Sequence, residues 1–175
     1  AHNGMAPTLV ANEQALVWKD AELEMGDIAV CQHPAQPGVY VIGRVVAKPG
    51  MTIQTVRGGQ LDIEGTTLDR DIRGEVQFYD AMEDREETMT WGIEKLGNTD
   101  HQYFERKDGS ARVDEEQVGE GRLFLLGDNR TYVGQDSRYV GTVEREGCLG
   151  EVFMRWKPVD HMPEELDHGW LDILK

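Results

Sequence analysis

Short apolar runs divided by turn residues set the rhythm of this chain. Residues 15–18, 28–31, 39–47, 52–57, 60–63, 123–126 and 150–156 each read as a strand, as a continuous apolar run or with period-two alternation. Gly26-Asp27, Pro49-Gly50, Gly58-Gly59 and Gly127-Asp128-Asn129 supply turns between them. The run through Val41, Ile42, Val45 and Val46 is rich in β-branched residues, which suit a pleated, buried surface. Gly58-Gly59 predicts a tight hairpin joining 52–57 to 60–63.

Residues 64–118 are more polar and read as an insertion, with strands expected at 76–79 and 101–104. The acidic stretch 80–87 reads as a solvated loop, and 160–166 as the cap of a short terminal helix. Strands and turns at this spacing predict an all-β, antiparallel fold rather than βαβ units. Three parts follow: a core from 1–63 and 119–159, an inserted β subdomain at 64–118, and a tail at 160–175.

With 175 residues the chain has room for one domain and an insertion. A net charge of −15 argues against nucleic acid and against anionic lipid headgroups, and is compatible with attracting basic segments. No apolar run approaches eighteen residues and no basic, apolar leader is visible, so membrane contact is expected only through an anchor upstream of residue 1. Cys31 and Cys148 have neither a CxxC partner nor a histidine cluster, so no metal and no cofactor is expected. Their pairing stays open at the level of sequence.

The richest segment is 127–138, Gly-Asp-Asn-Arg-Thr-Tyr-Val-Gly-Gln-Asp-Ser-Arg. Asp128, Arg130, Asp136, Ser137 and Arg138 read as braces, with bidentate carboxylate–guanidinium pairs pinning the loop. Taken with Gly4-Met5-Ala6-Pro7-Thr8-Leu9 and Gly43-Arg44-Val45-Val46, the segment resembles bacterial signal peptidase I, the Ser/Lys-dyad family. The resemblance runs from the first motif to the strand ending at Trp156. It implies a signal-peptidase-I-like antiparallel β scaffold with an extended β insertion. It also implies an extracytoplasmic site of action, membrane-anchored in full length, and an exported polypeptide or signal-peptide-like segment as partner.

The same resemblance exposes what differs. The family places a nucleophilic serine just before Met-x-Pro-Thr-Leu, and here Gly4 precedes Met5. Two residues earlier, where the family often has a second serine for the oxyanion, stands His2. The family's lysine base precedes an Arg-Val-Val-like strand, and here Gly43 precedes Arg44. A serine that steadies the lysine is replaced by Val133-Gly134, in a loop one residue longer. A hydroxyl is a weak nucleophile until a base takes its proton, and a lysine serves as that base only when desolvated. Glycine offers neither group. Among substitutes, Ser110 and Ser137 are the only serines, Thr8 sits in a structural position, and Lys48 lies five residues beyond Gly43 on the opposite strand face.

What the resemblance leaves intact is a groove. Met5, Leu9, Val41 and Ile42 match positions that line the pockets where an extended substrate pairs with the strand. The expected function is therefore a noncatalytic, signal-peptidase-I-like protein that binds exported polypeptides, as a chaperone or assembly factor. The alternatives are a signal peptidase I-type serine endopeptidase inactivated by replacement of its nucleophile, and an acidic interaction module with a vestigial groove.

Overall fold

The computed structural model describes residues 2–107, 112–159, 162–166 and 168–174. Ser110, Asp160 and His161 lie outside them. Among the described residues the strands pair antiparallel, with one isolated parallel bridge between Phe104 and Asn129, and helix is limited to single turns.

The central sheet is built from β1 (Gln14–Lys19), β2 (Ile28–Gln32) and β3 (Tyr40–Ala47), joined later by distant segments. A small sheet follows from β4 (Thr52–Thr55), β5 (Leu61–Ile63) and β6 (Thr66–Thr67). Next comes a long ribbon of β7 (Arg70–Asp80), β8 (Arg85–Leu96) and β9 (Thr99–Glu105). Then β10 (Glu116–Gln117) pairs with β4, and β11 (Arg122–Leu126) returns to β3. Helical turn α1 (Ser137–Val140), β12 (Val143–Glu144), β13 (Cys148–Lys157) and β14 (Asp172–Ile173) complete the chain. The central order is β1-β13-β2-β3-β11-β12, with β14 also on β13.

The strand positions follow from burial. Val45, Leu123 and Leu125 pack with Ala29, Cys31 and Val41 under one face of the central sheet. Val46, Phe124 and Leu126 pack with Ile53, Leu61 and Leu96, so the same two strands close the small sheet against the core. A third cluster joins Ala6 and Val10 to Val76, Phe78, Met89 and Phe104, and seats the first segment on the ribbon. Gly58 and Gly59 both adopt positive φ, 92° and 80°, as the tight connection between β4 and β5 requires.

Two expectations change and one open point is decided. Residues 80–87 are a solvated loop only in part: 81–84 form an exposed turn, but Asp80 is buried at the end of β7 and 85–87 begin β8. Arg85, Glu86 and Glu87 are charged although they open β8, so their polarity hides β structure. The tail forms a single 3-10 turn, Glu164–Leu166, followed by β14, because Leu166 and Leu174 are each drawn into apolar clusters. Cys31 and Cys148 face each other across β2 and β13 and form a disulfide.

Candidate functional site

Three segments meet at the end of β11. Gly43 lies on β3 beside it: a Cβ there would stand 2.9 Å from Leu125 Cβ and 3.4 Å from the Leu126 backbone nitrogen. Gly127 abuts the first segment so closely that a Cβ on it would overlap the Gly4 carbonyl oxygen, 2.4 Å away. That carbonyl accepts the Asn129 N–H at 3.0 Å. Gly4 and Gly43 therefore approach the same short stretch, 125–127, from two sides.

The space beside each glycine is taken. The Gly4 N–H donates to His2 Nδ1 at 3.0 Å, and that nitrogen would be 2.9 Å from a Gly4 Cβ. The His2 ring in turn stacks on Tyr132, with centroids 5.7 Å apart. Burial lowers the His2 pKa, which favours the neutral ring able to accept that hydrogen bond. Val133, next to Tyr132, is exposed.

Below this site lies a buried charge cluster. Arg44 grips Asp128 through two hydrogen bonds, Nε at 2.9 Å and Nη2 at 2.7 Å, and donates a third to the Gly26 carbonyl at 2.6 Å. Thr8 Oγ1 donates to the same carboxylate. Burial acts to raise the Asp128 pKa, but the Arg44 charge, with His101 and Thr8, outweighs it and holds the carboxyl below its usual range. Arg130 pairs instead with Glu94 of β8, at 2.5 and 3.2 Å. Glu94 also receives Arg70 at 2.7 Å. His101 sits between them, its Nε2 3.5 Å from Glu94 and 3.9 Å from Asp128. Burial, then the Arg44 charge, lowers the His101 pKa.

The expected pairing within the late loop is thus only partly what forms. Asp136 and Arg138 do pair with each other, the guanidinium spanning the carboxylate at 2.7–3.1 Å. Asp136 also accepts the Gly127 N–H, and Ser137 Oγ accepts the Leu125 N–H. Asp128 and Arg130, by contrast, reach out to Arg44 and Glu94, 84 and 36 residues away in sequence. Glu94 and His101 carry no local signal of this role; each lies on a strand whose partners are remote.

The groove runs beside the glycines. A cleft of about 360 Å³ is lined by His2, Met5, Leu9, Ala15, Val30, Tyr40 and Ile42, among others. Met5, Leu9 and Ile42 come together there. Val41 does not: side chains alternate along β3, so Val41 points with Val45 into the cluster under the opposite face. Val30 and Tyr40 are lining residues that the sequence reading missed, though a period-two count from Ile42 reaches Tyr40.

Among the described residues, the substitutes Ser137, Thr8 and Lys48 are each engaged elsewhere. Ser137 and Thr8 hold Leu125 and Asp128 as described, and Lys48 Nζ pairs with Glu24 at 2.6 Å. Among the described residues no cluster of His, Cys, Asp or Glu is arranged to hold a metal ion. No helix among them is long and apolar enough to cross a membrane.

Residues 1–157 match the family described as signal peptidase, peptidase S26. The chain belongs to that family. It is 28% identical over 146 residues to signal peptidase I of Pseudomonas aeruginosa, covering 76% of this chain and 49% of that enzyme, so it spans about half the length of that relative. Signal peptidase I of Streptococcus pneumoniae R6 is 28% identical over 167 residues, covering 90% of this chain and 79% of that one. A crystal structure of a signal peptidase I from Enterococcus faecalis V583 aligns at 26% identity with a TM-score of 0.45, covering 75% of this chain and 97% of that chain. This family member has glycine at 4 and 43, beside Met5 and Arg44, and Asp128, Arg130 and Arg138 in the late loop.

Proposed function

We propose that this family member binds an exported polypeptide in its groove without cleaving it. The observation that carries the reading is the double occupancy at the glycines. Position 4 has no hydroxyl and a histidine ring fills the adjacent volume; position 43 has no amine and Leu125 closes on it. The apolar groove beside them stays open. An extended chain laid along β3 would pair through backbone groups and seat small side chains against Met5, Leu9 and Ile42, which requires no nucleophile.

The compartment belongs to the same proposal. The Cys31–Cys148 disulfide favours an oxidising location, the periplasm or the outer face of the cytoplasmic membrane. A role as chaperone or assembly factor follows from holding an exported chain without releasing a product.

The test is an incubation with a preprotein carrying an Ala-x-Ala cleavage site, followed by mass spectrometry and a binding measurement by fluorescence anisotropy. Saturable binding with an intact preprotein is expected. Cleavage at one defined bond overturns the reading, and absence of binding at any concentration leaves the groove without a role.

A further inference from the structure

Across the His2–Tyr132 stack from the apolar groove lies a second, polar cavity of about 200 Å³. It opens between the β7–β8 turn and the late loop. Asp80, Glu83 and Glu87 face it, against Arg85 and Arg106, with Asn129, Thr131, Tyr132 and Gln135 completing the wall. Arg85 pairs with Glu83 at 2.7 Å and with Glu87, and Arg106 reaches Glu87 at 3.4 Å.

Asp80 stands apart from these pairs. It is only 3% exposed, and among the described residues no cation pairs with it. Its Oδ1 accepts all of its hydrogen bonds, from Asn3 Nδ2 at 2.7 Å, the Met82 N–H at 2.9 Å and the Glu83 N–H at 3.3 Å. Oδ2 accepts none from the described residues, and Asp80 is part of the cavity wall. A buried carboxylate with one oxygen unused carries a strong preference for a positive partner. The negative field reaches its neighbour: burial, then the charges of Asp80 and Glu83, push the Tyr132 hydroxyl pKa up.

We infer that this cavity is a subsite for the ammonium or guanidinium group of a bound polypeptide. The polypeptide as its source rests on the groove reading above; the preference for a cation does not. A partner would then carry small or apolar residues over Met5, Leu9 and Ile42, and a lysine or arginine past the His2–Tyr132 stack, with its charge against Asp80 Oδ2.

Two measurements separate the two ideas. In the first, the whole protein labelled with nitrogen-15 is titrated at low ionic strength with N-acetyl-lysine methylamide, and with the norleucine analogue as control. The lysine probe is expected to shift the backbone amides of Asn129, Thr131 and Gln135, and the norleucine probe to leave them in place. Asp80→Asn keeps an oxygen for the three donors and should abolish the shifts. Glu83→Gln, which leaves the turn's backbone bonds intact, should weaken them. Equal shifts from both probes, or a lysine effect that survives in both variants, overturns the subsite.

In the second, an extended apolar peptide is compared with lysine or norleucine placed beyond its apolar segment. The lysine peptide should bind roughly tenfold tighter, the size of one charge-assisted hydrogen bond, and Asp80→Asn should erase that difference alone. Lysine-probe shifts without binding of either peptide support the cation subsite and sink the groove reading. Equal binding of both peptides sinks the subsite's role in reading a polypeptide and leaves the groove standing.

Discussion

Leu125 Cβ stands 2.9 Å from the point where a side chain on Gly43 would begin. Real Cβ atoms do not approach so closely, so β11 rests against β3 at a distance that a side chain at 43 forbids. Gly43→Ala is expected to lower stability by about 1–3 kcal/mol, the usual range for overpacking a tight core, read as a reduced denaturant midpoint. Gly4→Ser together with Gly43→Lys should leave preprotein cleavage absent. Cleavage by that double variant would show that the site had lost only its reagents and not its space.

Ile42 and Val41 are neighbours in sequence and opposites in space. Ile42→Asp places a carboxylate in the groove and should weaken binding of an apolar peptide at least several-fold with little change in melting temperature. Val41→Asp buries an unpaired charge among Val45, Leu123 and Leu125 and should unfold or strongly destabilise the protein. Equal effects of the two on stability would contradict the alternation along β3.

Arg44→Met leaves the Asp128 carboxylate buried without its guanidinium, and is expected to cost about 3–5 kcal/mol. Pairing it with Asp128→Leu should cost much less than the sum of the single losses, since no charge is then stranded. Chemical denaturation of the four proteins in this cycle gives the coupling directly.

Acid should destabilise the fold in two stages. His101 has a lowered pKa in the folded state, so its contribution is complete above the unfolded histidine value, about 6.5, and is lost as pH falls from there toward the folded value. Asp128 and Glu94 are also held low. Their contribution is present above the ordinary carboxylate range, about 4, and fades as pH drops through their folded values. Stability measured from pH 8 to 3 should show both declines, and His101→Gln should reduce the upper one, leaving the share of His2, whose pKa is also lowered by burial.

The Cys31–Cys148 bridge closes a loop with a sequence separation of 117. Replacing both cysteines by alanine is expected to cost about 2–5 kcal/mol. Wild-type protein under reducing conditions should match that variant; a reductant-insensitive melting curve would mean the bridge does not form.

Much of this fold was legible because its decisive strands are apolar. β3 and β11 announce themselves by Val41, Ile42, Val45 and the Leu123–Leu126 run, and the turns between strands by their glycines. β8 was missed for the opposite reason: Glu86 and Glu87 read as part of a solvated loop, and nothing near Glu94 in sequence marks it as buried, since Arg130 and Arg70 come to it from elsewhere. Residue order shows which side chains are charged, and leaves open which distant partner will neutralise them. The same limit applied to Asp128, whose partner proved to be Arg44 rather than a neighbour in the loop. At the groove, both Val41 and Ile42 were expected to line the pockets; period-two counting along β3 separates them, and the family likeness overrode it.

Gly4 is held where it is by its peptide group: its carbonyl takes the Asn129 N–H, and its own N–H goes to His2. Nothing in that anchorage depends on a side chain at position 4 itself. Absence of a side chain at this spot therefore leaves the framework around it in place, because the peptide group alone carries the tether.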